Sequence, residues 1–140
     1  MEKAEKSFLS AITIDSNLLN AHFNLGNIYY LNRDTEKAKS AFKKAIEINP
    51  EFAFALSNLG NIFVDEGNYQ EAESLYLKAM EADPSYSNSY SLLGKLYMDW
   101  HKIDQAKETL LKCIERDEKQ EFPNELVRKM GELGFMGVMV

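Results

Sequence analysis

Basic charge is what this sequence is short of. Lys and Arg number 16 against 22 Asp and Glu, which leaves a net charge of −6 and a pI near 5.0. A folded domain this acidic grips phosphate backbones poorly, so nucleic acid is disfavoured as a partner. Cysteine is nearly missing as well. Cys113 stands alone, which excludes an intramolecular disulfide and fits a reducing compartment. No stretch approaches the roughly 18 apolar residues of a membrane helix. The opening "MEKAEKSFLS" has no apolar signal core behind a basic head. The expectation is a soluble, cytoplasmic protein with no membrane partner.

Also missing are the groupings that chemistry requires. There is no phosphate loop, no metal-spaced cluster and no nucleophile elbow. His22 and His101 are the only histidines, and His22 falls at a packing position. Cys113 has no histidine beside it and reads as a small buried hydrophobe. No catalytic residue, metal or cofactor is expected, and the chain is not read as an enzyme. Hydrophobic residues still make up 45% of the chain, enough for a sizeable core.

What the sequence has is a period. "NLGNIYY" at 24–30 returns as "NLGNIFV" at 58–64. Gly26, Gly60 and Gly94 recur every 34 residues by the difference of their numbers. Leu25, Leu59 and Leu93 precede them, and Tyr29, Phe63 and Tyr97 follow. Ala38, Ala72 and Ala106 keep the step, as do Phe42, Tyr76 and Leu110, then Ala45, Ala79 and Cys113. Small and large residues aligned at one period signal a repeat architecture. Within each period the apolar spacing is helical, twice. Gly67 can take the left-handed helix-ending conformation, while Pro50 and Pro84 forbid continuation and can open the next helix. Helices are expected over 2–14, 17–31, 35–48, 51–66, 69–82, 85–99, 103–116 and 124–133. The glycines should lie where helices approach closely, with Phe42 and its equivalents filling the space beside them.

This pattern resembles the tetratricopeptide repeat, from about residue 2 to 118. The departures are His22, Leu56 and Tyr90 where that family often has Trp, Leu110 for an aromatic, and Glu118 where Pro would close the third unit. The resemblance implies an all-α, right-handed superhelical solenoid of antiparallel helix pairs, about 3.5 repeats with a C-terminal cap helix. The expected divisions are an array over 1–118 (a half repeat 2–16, then 17–50, 51–84 and 85–118) and a non-repeat cap and apolar tail over 119–140. The half repeat lacks its partner helix, so the chain would open in mid-repeat. It would then be either a fragment of a longer array or a homo-oligomer whose exposed ends associate.

In this family the first helix of each pair lines a concave groove. The residues left to face it are Asn20, Phe23, Asn24, Asn27 and Tyr30; then Phe54, Ser57, Asn58, Asn61 and Val64, with Asp65; then Asn88, Ser91, Leu92, Lys95 and Met98, with Asp99. An amide both donates and accepts, so an asparagine satisfies the backbone of an extended peptide without reading its side chains. Asn24 with Asn58, and Asn27 with Asn61, would form two rows. They resemble the asparagine ladder of the O-linked N-acetylglucosamine transferase repeats. The alternative is that Asn is simply a tolerable exposed helix residue copied by duplication. Few cations face the groove, which speaks against the carboxylate clamp by which other members hold acidic tails. Lys95, Asp65 and Asp99 make the third-unit end net acidic, suited to a basic or neutral peptide side chain. The expected function is a protein-interaction scaffold binding an extended peptide of a partner of unknown identity, with an oligomerising structural module as the alternative.

The tail departs from the period. Residues 115–140, which include "FPNELVRKMGELGFMGVMV", resemble the first helical segment of acyl-CoA dehydrogenases. That family's flavin-binding and catalytic residues lie downstream of this segment and have no counterpart here, so no such activity is implied.

Overall fold

The computed structural model describes residues 2–121. It contains helices α1 (Glu2–Ile14), α2 (Leu19–Leu31), α3 (Thr35–Ile48), α4 (Ala53–Asp65), α5 (Tyr69–Ala82), α6 (Ser87–Asp99) and α7 (Ile103–Glu121). No strand occurs among the described residues. The expected helix 124–133 lies outside them, as does all but the start of the expected cap and apolar tail (119–140) and of the dehydrogenase-like stretch (115–140).

Two kinds of turn recur with the period. Between pairs, Asp15, Asn49 and Asp83 each accept, through Oδ1, the backbone N–H two residues on, from Asn17, Glu51 and Ser85, at 3.0 Å. These Asx turns use the residues that the sequence reading gave to the starts of helices. Helices α2, α4 and α6 therefore begin at Leu19, Ala53 and Ser87, two residues later than expected. Pro50 and Pro84 sit in the turns and do not open helices. Within pairs, Arg33, Gly67 and His101 take left-handed backbone with φ of 65°, 76° and 61°. Asp34 and Asn68 then cap α3 and α5, accepting from Lys37 and Glu71 N–H. Helix α7 continues to Glu121, beyond the expected end at 116. Glu118 replaces the proline that would stop it.

Helices α2–α3, α4–α5 and α6–α7 form the pairs, each second helix packs on the first helix of the next pair, and α1 packs on α2. The core follows this order. Ala38, Phe42 and Ala45 of α3 meet Ala55, Leu59 and Ile62 of α4. Ala72 and Tyr76 of α5 meet Leu93, Leu96 and Tyr97 of α6 and Ala106 of α7. A Cβ added to Gly26 would lie 2.5 Å from the Phe42 ring, one on Gly60 2.6 Å from Tyr76, and one on Gly94 2.5 Å from Leu110. The 34-residue glycines thus permit one close contact, made three times. Helix α1 buries no residue fully; Leu9 is 44% exposed and Ile14 88%.

Candidate functional site: the face of the first helices

Helices α2, α4 and α6 carry all of the expected groove residues. On α4, Phe54, Asn58, Asn61 and Asp65 share a stripe at helical spacing. The middle of this surface is an amide contact: Asn58 Nδ2 donates to Asn27 Oδ1 at 2.8 Å. The bond runs diagonally between the two asparagine rows. Asn61 Oδ1 accepts from the Tyr76 hydroxyl at 2.6 Å. Asn24 is half-buried and Asn20 exposed. Ser57, expected in the groove, is instead fully buried, its hydroxyl 3.2 Å from Ser89 Oγ. A small side chain there lets α4 and α6 close over it, whereas Phe23 holds the equivalent place on α2.

At the C-terminal ends of these helices lies a cavity of about 240 Å3. Tyr30, Asn61, Val64, Asp65, Leu92, Lys95 and Asp99 of the expected residues line it, with Leu96 joining Val64 and Leu92 as apolar wall, and Tyr76 completes the lining. The Tyr30 hydroxyl donates to Asp65 Oδ2 at 2.6 Å. That bond, aided by burial, pushes the Tyr30 phenol up to about 12. Burial pushes the Tyr76 phenol up further, with the Tyr30 and Asp65 charges adding to it. Both phenols are therefore neutral donors at any physiological pH. Lys95 and Asp99 are exposed.

At the opposite, N-terminal ends the surface is aromatic. The Phe54 ring lies 4.7 Å from Tyr86, 5.6 Å from Phe52 and 6.3 Å from Phe23 between centroids. Phe54 remains 45% exposed, and Asn88 Nδ2 donates to the Tyr86 hydroxyl at 2.9 Å. Phe52 and Tyr86 were not among the expected groove residues. Their signal is present, since they occupy one repeat position on successive units; the sequence reading places them inside helices 51–66 and 85–99 with no role in the groove, whereas they immediately precede α4 and α6. His22 is half-buried, with Nε2 2.7 Å from the Ser16 carbonyl, a structural contact. No group of three or more His, Cys, Asp or Glu among the described residues could hold a metal ion. No helix among them is long and apolar enough to cross a membrane.

Residues 19–52 and 51–119 match two family models, both described as tetratricopeptide repeat. Solved structures with the same fold include the crystal structure of MamA, 24% identical with a TM-score of 0.78. It aligns over 84% of this chain and 68% of its own. Another is YrrB, described as a TPR protein with an unusual peptide-binding site, 23% identical with a TM-score of 0.73. It aligns over 82% of this chain, which spans 59% of the YrrB chain. Curated proteins yield no match.

Proposed function

The chain belongs to the tetratricopeptide repeat family, and from that premise we propose that it is a protein-interaction scaffold that holds an extended peptide segment of a partner along α2, α4 and α6. The observation that carries the proposal is the Asn58–Asn27 contact. Each amide has more hydrogen-bonding capacity than that bond uses. Asn58 keeps a second N–H and its carbonyl oxygen, and Asn27 keeps its whole NH2 group. Paired with each other, the two side chains are held in place before a ligand arrives, so less side-chain entropy is lost on binding. The arrangement resembles the asparagine ladder of the O-linked N-acetylglucosamine transferase repeats over two units. The peptide-binding site stated for YrrB is consistent with this use of the fold.

In a complex with a groove-bound peptide, Asn58→Ala should weaken affinity by about 1 kcal/mol, roughly fivefold, through lost backbone hydrogen bonds. The melting temperature should hardly move. Unchanged affinity in the Asn27→Ala/Asn58→Ala double variant, measured by titration calorimetry, rules the ladder out. A second reading rests on α1, whose Leu9 and Ile14 are open to solvent. This helix would seat a further helix of the same kind, from another copy or another chain. Sedimentation analysis over a wide concentration range tests it, and a mass that stays monomeric throughout removes self-association.

A further inference from the structure

The two ends of the α4 stripe differ in chemistry, and on the reading that a peptide lies along it we propose that the bound segment carries an Arg or Lys at one point and a large apolar side chain at another. The basic side chain belongs in the cavity at the C-terminal ends of α4 and α6. Asp65 and Asp99 flank that cavity, two carboxylates against the single ammonium of Lys95. Lys95 makes no ion pair among the described residues. Both aspartates are the last residues of their helices, where the helix dipoles add negative potential. Val64, Leu92 and Leu96 offer an apolar wall for the methylene stem of a long basic side chain. Tyr30 fixes one Asp65 oxygen by its hydrogen bond, so that carboxylate is oriented in advance. A carboxylate ligand would meet net repulsion at the same place.

The apolar side chain belongs on the Phe54 ring, which stays 45% exposed among its neighbours Phe52, Phe23 and Tyr86. Phe54 and Asp65 are 11 positions apart on α4, about 16 Å along its axis. An extended chain advances about 3.3 Å per residue, so the two anchors stand about four to six residues apart in the ligand.

The test uses short synthetic peptides, blocked at both ends, on an Ala/Ser background. One set carries Phe and Arg at that separation. Control sets replace Arg by Glu or Leu, or place the two anchors adjacent. Fluorescence polarisation against the full chain should show binding of the spaced Phe/Arg set, at least about fivefold tighter than the Glu, Leu and adjacent sets. Asp99→Asn should abolish the preference for Arg over Leu, and raised salt should reduce it. Asp99 makes no ion pair among the described residues, so this change should leave the melting curve as it was. Binding without preference for Arg, or a preference that survives Asp65→Asn/Asp99→Asn, overturns the inference and leaves the groove reading standing. Equal binding of adjacent and spaced anchors overturns it likewise. If no set binds, the groove reading and the inference fail together.

Discussion

Arg33, Gly67 and His101 form an experiment already built into the chain. They end α2, α4 and α6, recur every 34 residues and all have φ near +60° to +80°. Only the middle one is glycine. An L-residue in that conformation sets its Cβ against the following carbonyl, at about 1–2 kcal/mol. Glycine avoids this but gives the unfolded chain about 0.4–1 kcal/mol of extra freedom. The difference predicts that Arg33→Gly and His101→Gly each stabilise by about 0.5–1 kcal/mol. Neither side chain makes a hydrogen bond or ion pair among the described residues, so little else is lost. The two positions lie in different repeats, so their effects should add. Gly67→Ala is the reverse control. A Cβ there meets nothing within 4 Å, so no clash adds to the backbone difference, and the expected loss is the same net of about 0.5–1 kcal/mol. For a chain of this size, 1 kcal/mol corresponds to about 3–5 °C in melting temperature. Circular dichroism melts give the totals, and amide exchange at each connector assigns them to a repeat, since solenoids need not melt as one unit. A neutral Gly67→Ala, or destabilisation by Arg33→Gly, would refute the reasoning.

Three further outcomes are expected. Gly60→Val should destabilise by about 1–3 kcal/mol, because the new carbons meet the buried Tyr76 ring; urea melts read it, and a neutral result would mean the α4–α5 contact is looser than described. Stability should fall on alkaline titration: Tyr30 and Tyr97 have folded values near 12 against 10.0, so their contribution is whole below about pH 10 and is lost as pH rises towards 12. Phenolate absorbance followed alongside circular dichroism checks this, and tyrosines that titrate near 10 with the fold intact would contradict it. In a double-mutant cycle, Ser57→Ala and Ser89→Ala should each cost about 1–2 kcal/mol while the pair costs less than their sum; simple additivity would remove the buried hydroxyl bond as a stabilising contact.

The fold was legible because repetition averages over local ambiguity. Gly26 alone is an odd residue in a helix; with Gly60, Gly94 and their partners Phe42, Tyr76 and Leu110 it is a packing rule. The turns were less legible. Asp15, Asn49 and Asp83 also keep the period, but Pro50 and Pro84 are equally compatible with a helix start beside them, and the helices begin two residues later than the pattern suggests. The candidate site was legible by position and not by contact. Alignment shows that Asn27 and Asn61 are equivalent; it cannot show that Asn27 meets Asn58, because neighbouring helices stack with an offset the sequence does not express. Ser57 illustrates the same gap. Its place is equivalent to that of Phe23, yet its side chain is short enough to be enclosed.

That enclosed serine makes the array a spring with unequal turns. Between α4 and α6, two hydroxyls meet directly, so the helices are joined close to their axes. Between α2 and α4 the links are long side chains, Tyr30 to Asp65, Asn58 to Asn27 and Phe23 to Phe54, which act further from the axes and turn about several bonds. Under load the α2–α4 contact should therefore open before the α4–α6 contact, while the α3–α4 and α5–α6 cores hold successive pairs together. The acidic cavity would keep its α4 and α6 walls under load, and Tyr30, its one contribution from α2, would be the first part of it to leave.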